Sequence, residues 1–421
     1  MLNPDKKHPG DAGECSTDVV PASLRSEADA PAAVGFVPLC VPSLQGNEWA
    51  YTKDCFDTGW VSSVGAYVDR FEGSLAEYVG TKFAVATVNG TSALHVALRV
   101  AGVEPGDEVL VSTLTFIAPA NAIRYAGAWP VFIDAEPEFW QMDPQCVADF
   151  LEKQCAWSDG VLRNRATGRR VSALLPVHIL GHPVDLDPLR ALARKFCLPV
   201  IEDATECLGA SYRGERVGRG GDIACFSFNG NKIITTGGGG MIVTDNEAWA
   251  TRAKYLSTQA KDDPVEYEHR EIGYNYRLTN IQAAIGCAQM EQLDGIIAAK
   301  RRIAATYRSA LADLPGVTPM REAAWAASNA WLFTVRIEPM AFGRSSRELL
   351  AALGREGIQT RPLWQPMHRS AAHAGSPQVG GEIADGLCAE CLSLPCSAGL
   401  SASEQERVTA AIQALAGATA P

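Results

Sequence analysis

The sequence predicts an α/β chain in two parts: a large part built on a mostly parallel sheet flanked by helices, and a smaller α+β part at the C-terminal end. Three observations lead there. The chain has 421 residues, more than one domain of common size holds. Between about residues 80 and 245, short apolar runs alternate with segments of helical spacing, the pattern of strands joined by helices. Beyond residue 316 that rhythm gives way to strands and helices mixed.

Taken in order, residues 1–34 combine charge, proline, glycine and alanine and lack the apolar stretch of a signal peptide. They are expected to be a mobile extension. The runs FAVATV, EVLVS, ALLPVHIL, LPVIED, IACFSF and GMIVTD are the expected strands of the large part. Leu94, Ala97, Leu98 and Ala101 fall at i, i+3, i+4 and i+7, the stripe of an amphipathic helix. From 280 to 316 no proline occurs before Pro315, and Ile281, Ala284, Ile285, Ala288 and Leu293 keep helical spacing. Pro315 and Gly316 stop the pattern. The expectation is one long helix, interrupted near Gly295, joining a large domain over 35–290 to a small domain over 291–421. In the small domain WLFTVRI predicts a strand, and RELLAALGREG and SEQERVTAAIQALAG predict helices.

Composition narrows the function. The chain is 47% hydrophobic and 20% charged, with net charge −11 and a pI near 5.2. An acidic chain of this kind lacks the basic face of a nucleic-acid binder. No apolar run approaches 18 residues, so no membrane span is expected, and a cytoplasmic protein follows. The twelve cysteines are scattered. Several, such as Cys197 in KFCLPV and Cys225 in DIACFSF, lie in apolar runs and are expected to be reduced and buried. Cys388 and Cys391 form one CxxC without a second ligand pair, so no metal is expected.

Ligands of such sheets sit beyond the carboxyl ends of the strands, and four features gather there. Gly90, Thr91 and Ser92 open a predicted helix, where free N–H groups and two hydroxyls suit a phosphate; alone, this is an ordinary helix cap. Glu202 and Asp203 follow a strand-like run, where a carboxylate would hold a protonated ring nitrogen or cap a turn. Lys232 lies in FSFNGNKIITTGGGGMIVTD, five residues after Ser227 and just before glycines 237–240, which permit positive φ and close approach. Asn275 and Arg277 alternate with Tyr274 and Tyr276 before the long helix. His178 and Arg361 are further polar groups for the substrate side. A lysine amine, a carboxylate for a ring nitrogen and a hydroxyl-rich phosphate cup are the parts that pyridoxal phosphate needs.

FEGSLAEYVGTKFAVATVNGTSALHVAL, IEDATECLGA, GDIACFSFNGNKIITTGGGGMIVTD and GYNYRLTNIQAAIG resemble the DegT/StrS-type nucleotide-sugar aminotransferases, in family order, from about Val37 to Leu400. The resemblance implies the fold type I of pyridoxal phosphate-dependent transferases. It implies a homodimer with the active site at the subunit interface, and transfer of the amino group of L-glutamate to a keto sugar on a nucleotide diphosphate. By resemblance, Lys232 is the lysine that bonds the cofactor aldehyde, and Asp203 faces the pyridine nitrogen. Gly90, Thr91, Ser92 and Ser227 hold the phosphate, and Phe116 stacks on the ring. Asn275 reaches the phosphate of the partner subunit, with Arg277 close by. Two positions depart from the family pattern: Glu206 stands where Gln or His is usual, and Gly238 where many members have Glu. Lys232 separates the chain from family dehydratases, which carry histidine there. The segments around Lys232 and Phe116 look most like enzymes aminating C4 of UDP-linked 4-keto-6-deoxy-N-acetylhexosamines for surface glycans. A 3-keto, dTDP-linked or GDP-linked sugar is the alternative, and a non-catalytic cofactor-binding protein is a third reading.

Overall fold

The computed structural model describes residues 35–263 and 265–417. The predicted extension over 1–34 lies outside the described residues. From Val37 onward the chain packs as one compact unit.

The large sheet runs Phe83–Thr87, Gly240–Thr244, Ile223–Ser227, Ile201–Asp203 on one side and Val171–Leu175, Glu108–Ser112, Trp129–Ile133, Gln378–Val379 on the other. Parallel bridges Leu174↔Val200 and Val177↔Asp203 join the two halves. Every pairing is parallel except those of Gly240–Thr244, which is antiparallel to both neighbours. That exception has a local cause. Gly240–Thr244 returns directly from Ile223–Ser227 through a loop, whereas the parallel strands are joined by crossovers.

Several predicted boundaries move. ALLPVHIL yields a regular strand only as far as Leu175; past Pro176 the chain keeps a single bridge, Val177↔Asp203, before the turn Ile179–Gly181. Trp129–Ile133 is a strand outside the predicted runs, its pattern broken by Pro130. The helix Gly90–Val100 buries Ala93 through Leu98 without a gap, so it is enclosed nearly all round rather than along one stripe. It packs against strands Ile223–Ser227 and Gly240–Thr244 and helix Ala118–Tyr125.

The long helix is two helices, Asn280–Met290 and Leu293–Ala310, and the break falls at 291–292 rather than at Gly295, which sits inside the second helix. Glu291 caps the first helix with its backbone still helical, and its side chain is held by Asn47, Tyr51 and Arg70 at 2.7–2.8 Å. The second helix ends at Ala310, before Pro315. It spans two apolar clusters. Ile296 and Ile297 pack with Phe71, Phe226 and Phe228, while Ile303, Ala304 and Tyr307 pack with Phe333, Val335 and Leu394. The latter cluster underlies an antiparallel C-terminal sheet, in the order Val317–Pro319, Phe333–Ile337, Cys391–Leu394, Arg361–Pro362.

Eleven described cysteines are free, and Cys225 is fully buried. Cys197 is not: it is exposed, at φ 51° on the turn after helix Leu186–Lys195. Cys388 lies in the last turn of helix Glu382–Glu390 and Cys391 begins strand Cys391–Leu394, so the CxxC straddles two elements.

Candidate active site

The expected phosphate corner is assembled by close approach of backbone. Asn89 caps the helix Gly90–Val100, its side chain accepting the Ser92 N–H at 2.8 Å. The N–H groups of Gly90 and Thr91 have no acceptor within the helix, and the positive end of its dipole points the same way. A Cβ on Gly240 would lie 2.5 Å from the carbonyl carbon and oxygen of Asn89 and 2.7 Å from the nitrogen of Gly90, so glycine is what lets the strand reach the helix start. A Cβ on Gly90 would lie 2.9 Å from Cβ and 3.2 Å from Oγ of Ser227. Ser227 pairs in register with Gly240. Thr91, Ser92 and Ser227, far apart in sequence, thus meet at one corner, with Ser92 buried and the other two half-buried.

Lys232 lies in the loop between these same two strands. Its N–H bonds Asn229 O at 3.0 Å, and its side chain is 14% exposed. Nζ is 3.3 Å from Oε1 of Glu206 and 4.2 Å from the centroid of the Trp331 ring. Glu206 therefore has a definite contact in this chain: a buried carboxylate ion-paired to the lysine. Its other oxygen accepts the Leu180 N–H at 2.8 Å. Leu180 has φ 60°, a left-handed conformation uncommon for a leucine. Burial pushes the Glu206 carboxyl up, and the Lys232 charge opposes that.

Two residues that the sequence pattern does not single out hold this arrangement. Trp331 Nε1 donates to Asn231 O at 2.7 Å, which ties the ring beneath Nζ to the residue before Lys232. Asn329, fully buried, donates to Glu206 O and Leu208 O at 2.9 Å and accepts the Trp331 N–H at 2.9 Å. The one trace of them in the sequence is SNAW, running into the predicted strand WLFTVRI, with no spacing that relates it to Lys232.

Glu202 and Asp203 point to different partners, as successive strand residues must. Glu202 accepts His178 Nε2 at 2.9 Å and the N–H groups of Gly221 at 2.6 Å and Gly218 at 3.4 Å. Burial raises its carboxyl, but these donors hold it below the usual carboxylate range. Asp203 is equally buried, yet its side chain accepts one backbone bond, from Thr205 N–H at 3.1 Å. Burial pushes its carboxyl up, with Thr205 and the Lys232 charge pulling back. A buried acid with spare acceptor capacity near the lysine suits a protonated ring nitrogen. With the lysine and the hydroxyl corner, the residues fit pyridoxal phosphate.

His178 is a correction. It is completely buried, its Nδ1 accepts the Val184 N–H at 2.9 Å, and its Nε2 is committed to Glu202, so it braces the sheet behind Asp203 rather than facing a substrate. Phe116 is 55% exposed, next to the buried Leu114 and Thr115. Asn275 is exposed on a bridge to Thr258, and the neighbouring Tyr276 carbonyl accepts the Val88 N–H at 2.8 Å, next to the phosphate corner. Arg277 Nη2 donates to Gln259 at 3.2 Å, while its Nε is buried without a hydrogen-bond partner among the described residues. Arg361 is exposed at the edge of the C-terminal sheet, bonded to Thr360 O at 3.2 Å. Gly238, one of the two departures, is not required by sterics: a Cβ there meets Gln282 Nε2 at 3.5 Å and Val88 O at 3.9 Å.

Comparison with known proteins gives the family. The sequence profile of the DegT/DnrJ/EryC1/StrS aminotransferase family matches residues 42–413. A GDP-perosamine synthase of Caulobacter vibrioides is 40% identical over 378 residues, covering 89% of this chain and 97% of that protein. One from Vibrio cholerae is 39% identical over 332 residues, covering 79% and 86%. The crystal structure of DesV from S. venezuelae superposes with TM-score 0.79 at 34% identity, covering 89% of this chain and 95% of that one. These likenesses establish the fold type I of the large sheet, pyridoxal phosphate as cofactor and a sugar as amino acceptor. Among the described residues no helix is long and apolar enough to cross a membrane. The chain belongs to the DegT/DnrJ/EryC1/StrS aminotransferase family.

Proposed function

We propose that the enzyme moves the amino group of L-glutamate to C4 of a nucleotide-linked keto sugar, and that the nucleotide is GDP. The observation that carries the nucleotide is the repeated likeness, at 39–40% identity, to GDP-perosamine synthases, which make a GDP-linked 4-amino sugar. This displaces the expectation of a UDP-linked N-acetylhexosamine, which rests on the segments around Lys232 and Phe116 alone and stays as the second reading.

When bound, pyridoxal phosphate supplies an electron sink for the carbon that gains or loses the amine. The chain's own groups do the rest. Asp203 keeps the proton on the ring nitrogen. Thr91, Ser92, Ser227 and the start of helix Gly90–Val100 bind the phosphate. Phe116 covers one ring face. Lys232 would hold the aldehyde of the bound cofactor, and its amine would serve as the general base and acid for the proton at the carbon that gains or loses the amine. Glu206 holds the Lys232 ammonium when it is charged. The two half-reactions use one site in turn, so kinetics are ping-pong.

We further propose a homodimer in which Asn275 of one subunit reaches the phosphate of the other, with Arg277 and Arg361 on the sugar-nucleotide side. Exposed Trp49, Trp60, Phe116 and Ile272, at 79%, 55%, 55% and 86%, supply apolar surface for such an interface. The division into domains 35–290 and 291–421 belongs to the same reading, its boundary falling at the helix break.

The test is a panel of GDP-, UDP- and dTDP-linked 3-keto and 4-keto sugars with glutamate, the amino sugar identified by mass and NMR. GDP-4-keto sugar as the best acceptor supports the proposal, and preference for a UDP-linked N-acetylhexosamine overturns the nucleotide assignment. Lys232→Ala should lose all turnover and the visible absorbance of the lysine–cofactor adduct. Full activity in that variant would refute the site.

A further inference from the structure

The segment before the first helix carries Cys40 against the loop of Lys232. Leu39 O accepts the Cys396 N–H at 2.7 Å, and Val41 N–H bonds Ser397 Oγ at 3.0 Å, so the backbones beside Cys40 and Cys396 are locked together. Both sulfurs lie against the ammonium of Lys300, which is 2% exposed. Its hydrogen-bond partners among the described residues are Cys396 O at 2.8 Å, Trp331 O at 2.9 Å, Cys40 Sγ at 3.7 Å and Cys396 Sγ at 4.0 Å. A buried cation needs a counter-charge, and of these four atoms only a sulfur can carry one. The cluster also touches both supports of Lys232. Cys40 Sγ is 3.5 Å from Asn231 O, and Cys396 Sγ is 3.4 Å from Trp331 O.

We propose that Cys40 and Cys396 form a redox modification site: Cys40 reacts with a hydroperoxide, and Cys396 closes the product to a disulfide beside the Lys232 loop. The Cys40 thiolate attacks the peroxide; its sulfur takes the distal oxygen and hydroxide leaves. The Cys396 thiol then attacks that sulfur, forming the S–S bond and releasing water. Two thiols are oxidised and one peroxide is reduced. The environment divides the roles. The hydrogen bond from Cys396 lowers the Cys40 thiol to about 6, against burial and with help from the Lys300 charge. The same bond, with burial, pushes Cys396 well above the ordinary thiol range. Cys40 is half-buried and Cys396 is 1% exposed, so a small peroxide meets Cys40 first.

The experiment treats the holoenzyme at pH 7 with a small excess of hydrogen peroxide, blocks remaining thiols and maps peptides. The expected result is a Cys40–Cys396 linked peptide at monomer mass, ahead of other cysteine oxidation and reversed by dithiothreitol. In Cys396→Ser, dimedone should label Cys40. A Cys40 thiolate is about 30-fold more abundant at pH 7 than an ordinary one, but its lower nucleophilicity cuts the rate advantage to a few-fold. The deciding kinetic readout on the unmodified protein is thus the pH profile of Cys40 alkylation, with its midpoint near 6. Oxidation of other cysteines without the linked peptide, or a Cys40 midpoint in the ordinary range of about 8–9, would overturn the proposal.

Discussion

Two glycines two residues apart should respond to alanine with opposite signs. At Gly240 the added Cβ would meet backbone atoms at 2.5–2.7 Å, where carbon contacts are comfortable at about 3.5–4.0 Å. The overlap is about 1 Å on Asn89 and Gly90. The strand cannot withdraw, because it is hydrogen-bonded on both edges, to Phe83–Thr87 and to Ile223–Ser227. Overpacking of this kind costs about 1–3 kcal/mol. The atoms that must move begin the helix carrying Thr91 and Ser92, so phosphate binding should suffer as well, by about tenfold or more, or ~1.4 kcal/mol. At Gly238 the Cβ finds ordinary contacts and φ is not left-handed, so alanine should stabilise by about 0.4–1 kcal/mol through the unfolded chain. Denaturant unfolding of both variants without cofactor, followed by pyridoxal phosphate titration, measures both effects. A Gly240→Ala protein with wild-type stability and affinity would refute the close approach of strand to helix start.

Three further predictions address buried polar groups. Burial raises Asp203 in the folded state, so its ionised form opposes folding at neutral pH, and the cost vanishes as pH falls through the raised value. Asp203→Asn should therefore raise the melting temperature of the cofactor-free protein at pH 7, with the gain closing in acid, and shrink the stabilisation that pyridoxal phosphate confers; a lower melting temperature at pH 7 refutes this. His178→Ala should leave Glu202 buried and short of a partner, costing about 3–5 kcal/mol. Glu202 is held low in the native protein, so the stability it lends is present above the usual carboxylate range and lost on acidification; the deficit should be greatest at neutral pH and shrink toward pH ~4. A raised KM for the sugar with unchanged stability would instead restore His178 to the substrate side. Asn329→Ala strands Glu206 O, Leu208 O and the Trp331 N–H at about 1–3 kcal/mol per group before relaxation; denaturant unfolding showing a loss under ~0.5 kcal/mol would mean these groups find other partners.

Much of the site is local chemistry, and local chemistry is legible. A helix start with hydroxyls, acids at a strand end and a lysine before a glycine run each sit at fixed offsets from an apolar run, so Thr91–Ser92, Asp203, Ser227 and Lys232 emerge from order along the chain. The parallel sheet follows from strand–helix alternation for the same reason. What the sequence leaves open is decided by contacts between residues far apart in the chain. Glu202 and Asp203 are neighbours of equal chemistry, and only the arrival of His178 at 2.9 Å commits one and leaves the other with spare acceptor capacity. The helix break falls at 291–292, where the Glu291 side chain reaches residues 47, 51 and 70, and not at Gly295, whose propensity made it the expected site. Nothing in the spacing along the chain relates Trp331 and Asn329 to Lys232, or Cys40 to Lys300 and Cys396. Spacing encodes which face a residue takes within its own element; which distant side chain meets it there is set by how the elements pack.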